Sequence, residues 1–184
     1  MKSKKTTLKV VPVKPKKDLL SSLRHLKSQF GACGLKLSTE DAAMSIEQIG
    51  YWAEFSGNIL STVVKIGGPN ARNDIKQLLP LNIDGLIAPM VESSYGLENF
   101  ISAVRDFTTP MQFERLKKQI NIETETAVRQ LDSILSAPEA KYIDEITIGC
   151  SDLSESMKKP RWDASFIAQV VKVAKKIKQK KSLS

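Results

Sequence analysis

A chain of 184 residues with 41% apolar content can bury one substantial core but not two, so a single domain is expected. No apolar run approaches the roughly 18 residues of a membrane span, and the start, MKSKKTTLKVVPVKPKK, lacks the apolar segment of a secretory signal, which points to a soluble cytoplasmic protein. The net charge of +8 is concentrated at the ends, with seven lysines in positions 2–17 and six in 172–181; elsewhere 15 basic residues face all 20 acids, and no aromatic residue lies among the terminal lysines to stack on bases, so the charge distribution argues against a nucleic-acid partner.

Residues 1–17 read as a basic flexible lead, in which 8–13 (LKVVPV) fits a short edge strand because Pro12 excludes an interior one. From Asp18 the spacing becomes helical, with Leu19, Leu20, Leu23, Leu26 and Phe30 on one face, until Gly31 and Gly34 break it. His25, the only histidine, falls on this helix, away from the candidate site. Cys33 and Cys150 are far apart and lack CxxC spacing, so both are expected as reduced thiols, with neither a disulfide framework nor a zinc site.

A strand and helix alternation then repeats five times. Strands are predicted at 35–37, 62–66, 85–90, 119–122 and 145–148, and helical patterns at 43–53, 71–79, 97–107, 127–135 and 166–177. One strand, one crossover helix and two short loops fill each interval, which specifies a parallel sheet with right-handed connections. Asn70, Ser93 with Ser94, and Asp163 are placed to cap helices, and Pro80 and Pro138 to end them. The expected domain is 18–179, followed by a basic tail at 180–184.

Parallel strands deliver their C-terminal ends to one rim. That rim would hold Ser38, Glu40 and Asp41, then Lys65 with Gly67 and Gly68, then Glu92, Glu123 and Asp152. Glu123 and Asp152 would repel unless a cation lay between them, and hard oxygen donors suit Mg²⁺ or Mn²⁺ better than zinc. Each has a plainer reading as well: a carboxylate after a strand is often a helix cap, and Lys65 can be a strand residue whose ammonium snorkels out of the core. Gly67-Gly68-Pro69 could present backbone N–H groups to an anion or simply make a tight turn.

The strings VVKIGGPNARNDI, DGLIAPMVESSYGLENFI, INIETETAV and DEITIGCSDLSES resemble the superfamily that joins 4-hydroxy-2-oxoheptanedioate aldolases with the citrate lyase β subunit, in a branch with a KIGG strand. The resemblance covers roughly 34–157. It implies a (β/α)8 barrel, here an incomplete one of about five βα units with an N-terminal helix. It also implies that Glu123 and Asp152 hold Mg²⁺ or Mn²⁺, with cleavage or formation of a carbon to carbon bond in a 2-oxo acid or acyl thioester through a metal-stabilised enolate. Lys65, Glu40 and Glu92 are the accompanying candidate catalytic residues.

Three departures from the family pattern matter. Lys65 stands where the family usually has arginine, and a lysine makes a point-charge contact rather than a bidentate one. No histidine follows position 25, so Glu40 or a metal-bound water would take the proton-transfer role. A full barrel needs about 250 residues, so the chain is expected either to be truncated or to be completed by a second copy in a homo-oligomer. A shortened relative that binds a metal or small ligand without turnover is the alternative to an enzyme.

Overall fold

In the computed structural model, which describes residues 17–181, five strands lie side by side in chain order: β1 (Gly34–Ser38), β2 (Ser61–Lys65), β3 (Gly85–Ala88), β4 (Lys117–Ile122) and β5 (Glu145–Ile148). Every neighbouring pair is parallel. Sequential order with helical crossovers is the winding of a (β/α)8 barrel, and five units of it make an open, α/β half-barrel. Among the described residues β1 and β5 each have one strand neighbour. The lead, including the 8–13 segment, and residues 182–184 of the tail lie outside the described residues.

Helix α1 (Lys17–Phe30) precedes the sheet. It seats Leu20 and Leu23 against Leu35, Phe55, Ile59 and Leu60, and Lys27 Nζ donates to the Ile59 carbonyl at 2.6 Å. His25 is exposed on this helix, edge-on to Phe30. The crossover helices are α2 (Ile46–Ser56), α3 (Arg72–Leu78) and α4 (Ser94–Asp106), then α6 (Glu125–Arg129) with α7 (Leu131–Ser136), while α8 (Cys150–Ser156) and α9 (Ala164–Lys181) follow β5. In α4, Leu97, Phe100, Ile101 and Val104 follow the three- and four-residue spacing and all are fully buried. They meet Val64, Ile66, Leu86, Ala88, Ile120 and Ile122, the convex face of the sheet, in the main core.

Capping explains where the elements start. Ser93 accepts from Gly96 N, and Asp163 Oδ1 accepts from Ser165 N and Phe166 N, as their positions predict. Asn70 does not cap α3: that helix begins at Arg72 with no side-chain cap, and Asn70 contributes only its carbonyl, to Arg72 N. The helix predicted at 43–53 starts later than its apolar pattern, at Ile46, because Ser45 and Gln48 form a reciprocal capping box and Ala43 turns at φ 47°. The same box, Thr109 with Gln112 followed by Pro110 at the first helical position, builds α5 (Pro110–Arg115) in a stretch read only as a connection.

Pleating assigns the other face. Residues alternating with the core positions point to the concave side: Ser38 on β1, Lys65 on β2, Ile87 on β3, Gln119 and Asn121 on β4, and Glu145 and Thr147 on β5. The concave face is therefore mostly polar, and it leads up to the strand ends where the candidate site lies.

Candidate active site

Glu123 follows directly on β4 and is 1% exposed, the most enclosed of the rim acids. Its two oxygens are held separately: Met90 N donates to Oε1 at 2.9 Å, and Asn121 Nδ2 donates to Oε2 at 3.0 Å. Asn121 can do this because it lies two residues earlier, on the same side of the strand. Met90 adopts φ 52°, a conformation uncommon for a residue with a side chain, and in it the amide meets the carboxylate.

Burial pushes the Glu123 carboxyl above the ordinary glutamate range and Asp152 adds to the shift, although the Met90 N–H, the Lys65 charge and Asn121 all act against it. Asp152, half-buried, is in the first turn of α8, a short helix in a stretch for which the sequence predicts no element. Gly149 makes the approach of β4 and β5 possible at this level. A Cβ there would fall 2.5 Å from Glu123 Oε2 and 2.6 Å from Glu123 Cβ.

On the other side of the rim, Lys65 is 5% exposed and its Nζ lies 2.9 Å from Glu40 Oε2 and 3.4 Å from Asp41 Oδ2. Burial alone would lower the lysine pKa. The Glu40 hydrogen bond and the charges of Glu123, Asp41 and Glu40 outweigh it and raise the value, so the ammonium stays charged at neutral pH. Ser38 Oγ shapes the acidic loop by accepting from both Glu40 N and Asp41 N at 3.1 Å. Asp74 ties the next loop down, accepting from Thr39 Oγ1 at 2.7 Å and from Gly67 N at 3.0 Å. The Gly67 amide is thus engaged by a carboxylate of the protein.

Glu40, Lys65, Glu123 and Asp152 are consequently linked, through contact or charge, into one group across four strand ends. Glu92 is exposed and turned toward β4, where it accepts from Thr124 Oγ1 at 2.6 Å. Asn121, Gly149 and the Met90 amide are the site components that the sequence does not single out. Of these, Asn121 is detectable from its period-two relation to Glu123, whereas the other two depend on the contacts themselves.

The donor set suits a hard divalent ion. Two carboxylates oppose each other's charge, and one is so desolvated that ionising it is costly, a cost that a cation beside it would relieve. Among the described residues no three His, Cys, Asp or Glu side chains gather into a complete metal-binding cluster, so the chain would supply two carboxylates and leave the other positions to solvent or ligand oxygens.

The raised pKa has a testable consequence in protein kept metal-free with a chelator. A carboxyl that binds its proton more tightly folded than unfolded favours folding while protonated, and this contribution is lost as pH rises through the folded pKa. Glu123→Gln should therefore melt above the wild type at pH 7–8. The difference should shrink as pH falls through the raised folded value and be gone below about 4.3, the ordinary glutamate value. Equal differences at every pH would show that Glu123 ionises freely.

Comparison with known proteins places this arrangement. The family model described as HpcH/HpaI aldolase/citrate lyase matches residues 38–180. A solved structure of the citrate synthase SbnG is similar over 85% of this chain and 68% of its own, at 19% identity and a TM-score of 0.73. An HpcH/HpaI aldolase from Desulfitobacterium hafniense DCB-2 gives 88% and 70%, 19% identity and 0.71. An aldolase/citrate lyase family protein from Burkholderia cenocepacia J2315 gives 88% and 72%, 14% identity and 0.72. At these identities the likeness establishes the half-barrel fold. No curated protein sequence matches the chain.

Proposed function

The chain belongs to the HpcH/HpaI aldolase/citrate lyase family, and from that premise we propose that it is a divalent-metal-dependent carbon to carbon lyase acting on a small 2-oxo acid or acyl thioester. The observation that carries this reading is the enclosed Glu123 carboxylate, held by Met90 N and Asn121 beside a second acid, Asp152. Glu123 and Asp152 would hold the ion. Mg²⁺ or Mn²⁺, when bound, supplies Lewis-acid stabilisation of negative charge developing on the substrate's 2-oxo group.

The chain's own groups divide the remaining work. Lys65, permanently charged and aimed at the rim, offers a fixed positive charge to an anionic substrate and to charge that builds up during reaction. It cannot serve as the base while its proton is held this firmly. Glu40, 2.9 Å from it and 40% exposed, is the carboxylate placed to take a proton from a ligand or a water at the mouth. Asn121 and Met90 N leave Glu123 one orientation, and Glu92 braces the β3 and β4 loops through Thr124.

The second reading, a binder without turnover, draws on the pairing of Lys65 with Glu40 and Asp41, which a substrate carboxylate would have to displace. An assay separates the two. Purified protein with Mg²⁺ or Mn²⁺ is expected to release pyruvate from oxaloacetate or a 4-hydroxy-2-oxo acid, and to stop when the metal is chelated. Release at the same rate in the chelated protein would remove the metal from the reaction. Binding of these acids with no release under any metal would establish the binder.

A further inference from the structure

At the opposite end of the sheet from the rim, two aromatic rings and an arginine border a second concavity. Phe113 comes from α5, just ahead of β4, and Tyr142 from a short 3-10 helix, Pro138–Tyr142, just ahead of β5. Their rings meet edge to face at 5.5 Å. The Arg105 guanidinium, from the last turn of α4, lies over both, 4.3 Å from the centre of the Tyr142 ring and 5.1 Å from that of Phe113. The open cavity beside them measures about 330 Å³ and is lined by Arg105, Thr108, Pro110, Phe113, Glu114 and Tyr142.

The charges in this lining are not matched within the chain. Among the described residues the Arg105 guanidinium meets only the two rings and forms no hydrogen bond or ion pair, because the neighbouring Asp106 is held by Arg72. The Glu114 carboxylate, exposed on α5, likewise has no partner there, and the two do not pair with each other although they share one cavity. Thr108 Oγ1 donates to the Val104 carbonyl at 2.7 Å, which leaves its lone pairs able to accept.

A guanidinium stacked on rings keeps its N–H edge free, and that edge matches a carboxylate in bidentate fashion. An unpaired carboxylate beside it matches an ammonium. Pro110 and Phe113, the latter 6% exposed, form an apolar wall between polar groups, and the volume suits a small molecule. A simple anion would leave Glu114 facing like charge, and a simple cation would leave Arg105 facing it. A ligand that carries both charges on one apolar body matches the whole lining.

We propose that this cavity binds a free α-amino acid with an apolar side chain: Arg105 holds the carboxylate, Glu114 and Thr108 Oγ1 hold the ammonium, and Pro110 and Phe113 flank the side chain. The site is separate from Glu123 and Asp152, and the inference does not depend on the lyase reading.

The test is calorimetric titration of the full chain with L-phenylalanine and with two molecules that each lack one of its charges, 3-phenylpropanoate and 2-phenylethylamine. Wild type should bind L-phenylalanine about tenfold more tightly than either. Arg105→Gln should weaken L-phenylalanine about tenfold and leave 2-phenylethylamine unchanged, whereas Glu114→Gln should weaken it about tenfold and leave 3-phenylpropanoate unchanged or tighter. Glu114→Gln breaks no contact among the described residues, so it remains informative where Arg105→Gln disturbs the ring cluster. Wild type that binds 3-phenylpropanoate as tightly as L-phenylalanine would overturn the amino-acid assignment. A folded wild type that binds neither L-phenylalanine nor L-leucine at millimolar concentration, or a Glu114→Gln variant that binds L-phenylalanine as the wild type does, would overturn the site.

Discussion

Glu123→Ala and Asp152→Ala are each expected to abolish the rise in melting temperature that Mg²⁺ or Mn²⁺ gives the wild type. A ligand that binds only the folded state stabilises it by about 2.7 kcal/mol at a hundred times its Kd. For a domain of this size that is roughly 5–10 °C. Two carboxylates are the chain's whole contribution to the proposed ion, so losing either leaves a single acid ligand, and the response should vanish rather than weaken. The two variants should differ in the absence of metal. Glu123→Ala removes a buried carboxylate whose ionisation is disfavoured, but leaves a cavity and an unpaired Met90 amide. Asp152→Ala alters a half-buried position in the first turn of α8 and should melt close to the wild type. A full metal response in either variant would exclude that residue as a ligand.

Gly149→Ala is expected to be nearly as damaging although it removes no functional group. The added methyl would lie 2.5 Å from Glu123 Oε2 and 2.6 Å from Glu123 Cβ, well inside contact distance. Glu123 cannot swing away without giving up the Met90 and Asn121 hydrogen bonds, and β5 cannot retreat without loosening its bond from Gly149 N to the Ile122 carbonyl. Forced repacking of this kind costs about 1–3 kcal/mol. The variant should therefore melt several degrees lower and lose metal-dependent pyruvate release together, with both acids still present. Thermal melts with and without Mg²⁺, read beside the lyase assay, check this; unchanged metal binding and turnover would show that the strands part easily at this level.

How much of this was readable beforehand differs by level. The five strands were placed to within a few residues, because apolar β-branched runs such as Thr62-Val-Val and Ile120-Asn-Ile alternate with helical patterns at regular intervals, and both signals are local. Helix starts were less accessible: the Ser45 and Thr109 capping boxes are visible as letters but their reciprocal bonds are not, and the helical pattern at 127–135 is split between two short helices, α6 and α7.

The rim acids were legible for the same local reason, since a carboxylate directly after a parallel strand has to emerge at the C-terminal edge. Which of them belong together was not. Glu92 and Glu123 occupy equivalent places in the chain pattern, yet one is exposed against Thr124 and the other is enclosed beside Asp152. Lys65 gave no sign of being claimed by Glu40 and Asp41.

Period and spacing alone thus establish the winding of the chain and the list of groups at its strand ends. Partnership, burial and charge state come from packing between segments separated by tens of residues, as where Met90, Asn121, Lys65 and Gly149 converge on one carboxylate. The physical reason is range: backbone periodicity is set by neighbours a few positions away, whereas desolvation and Coulomb interaction depend on distances in space that only the folded sheet brings into being.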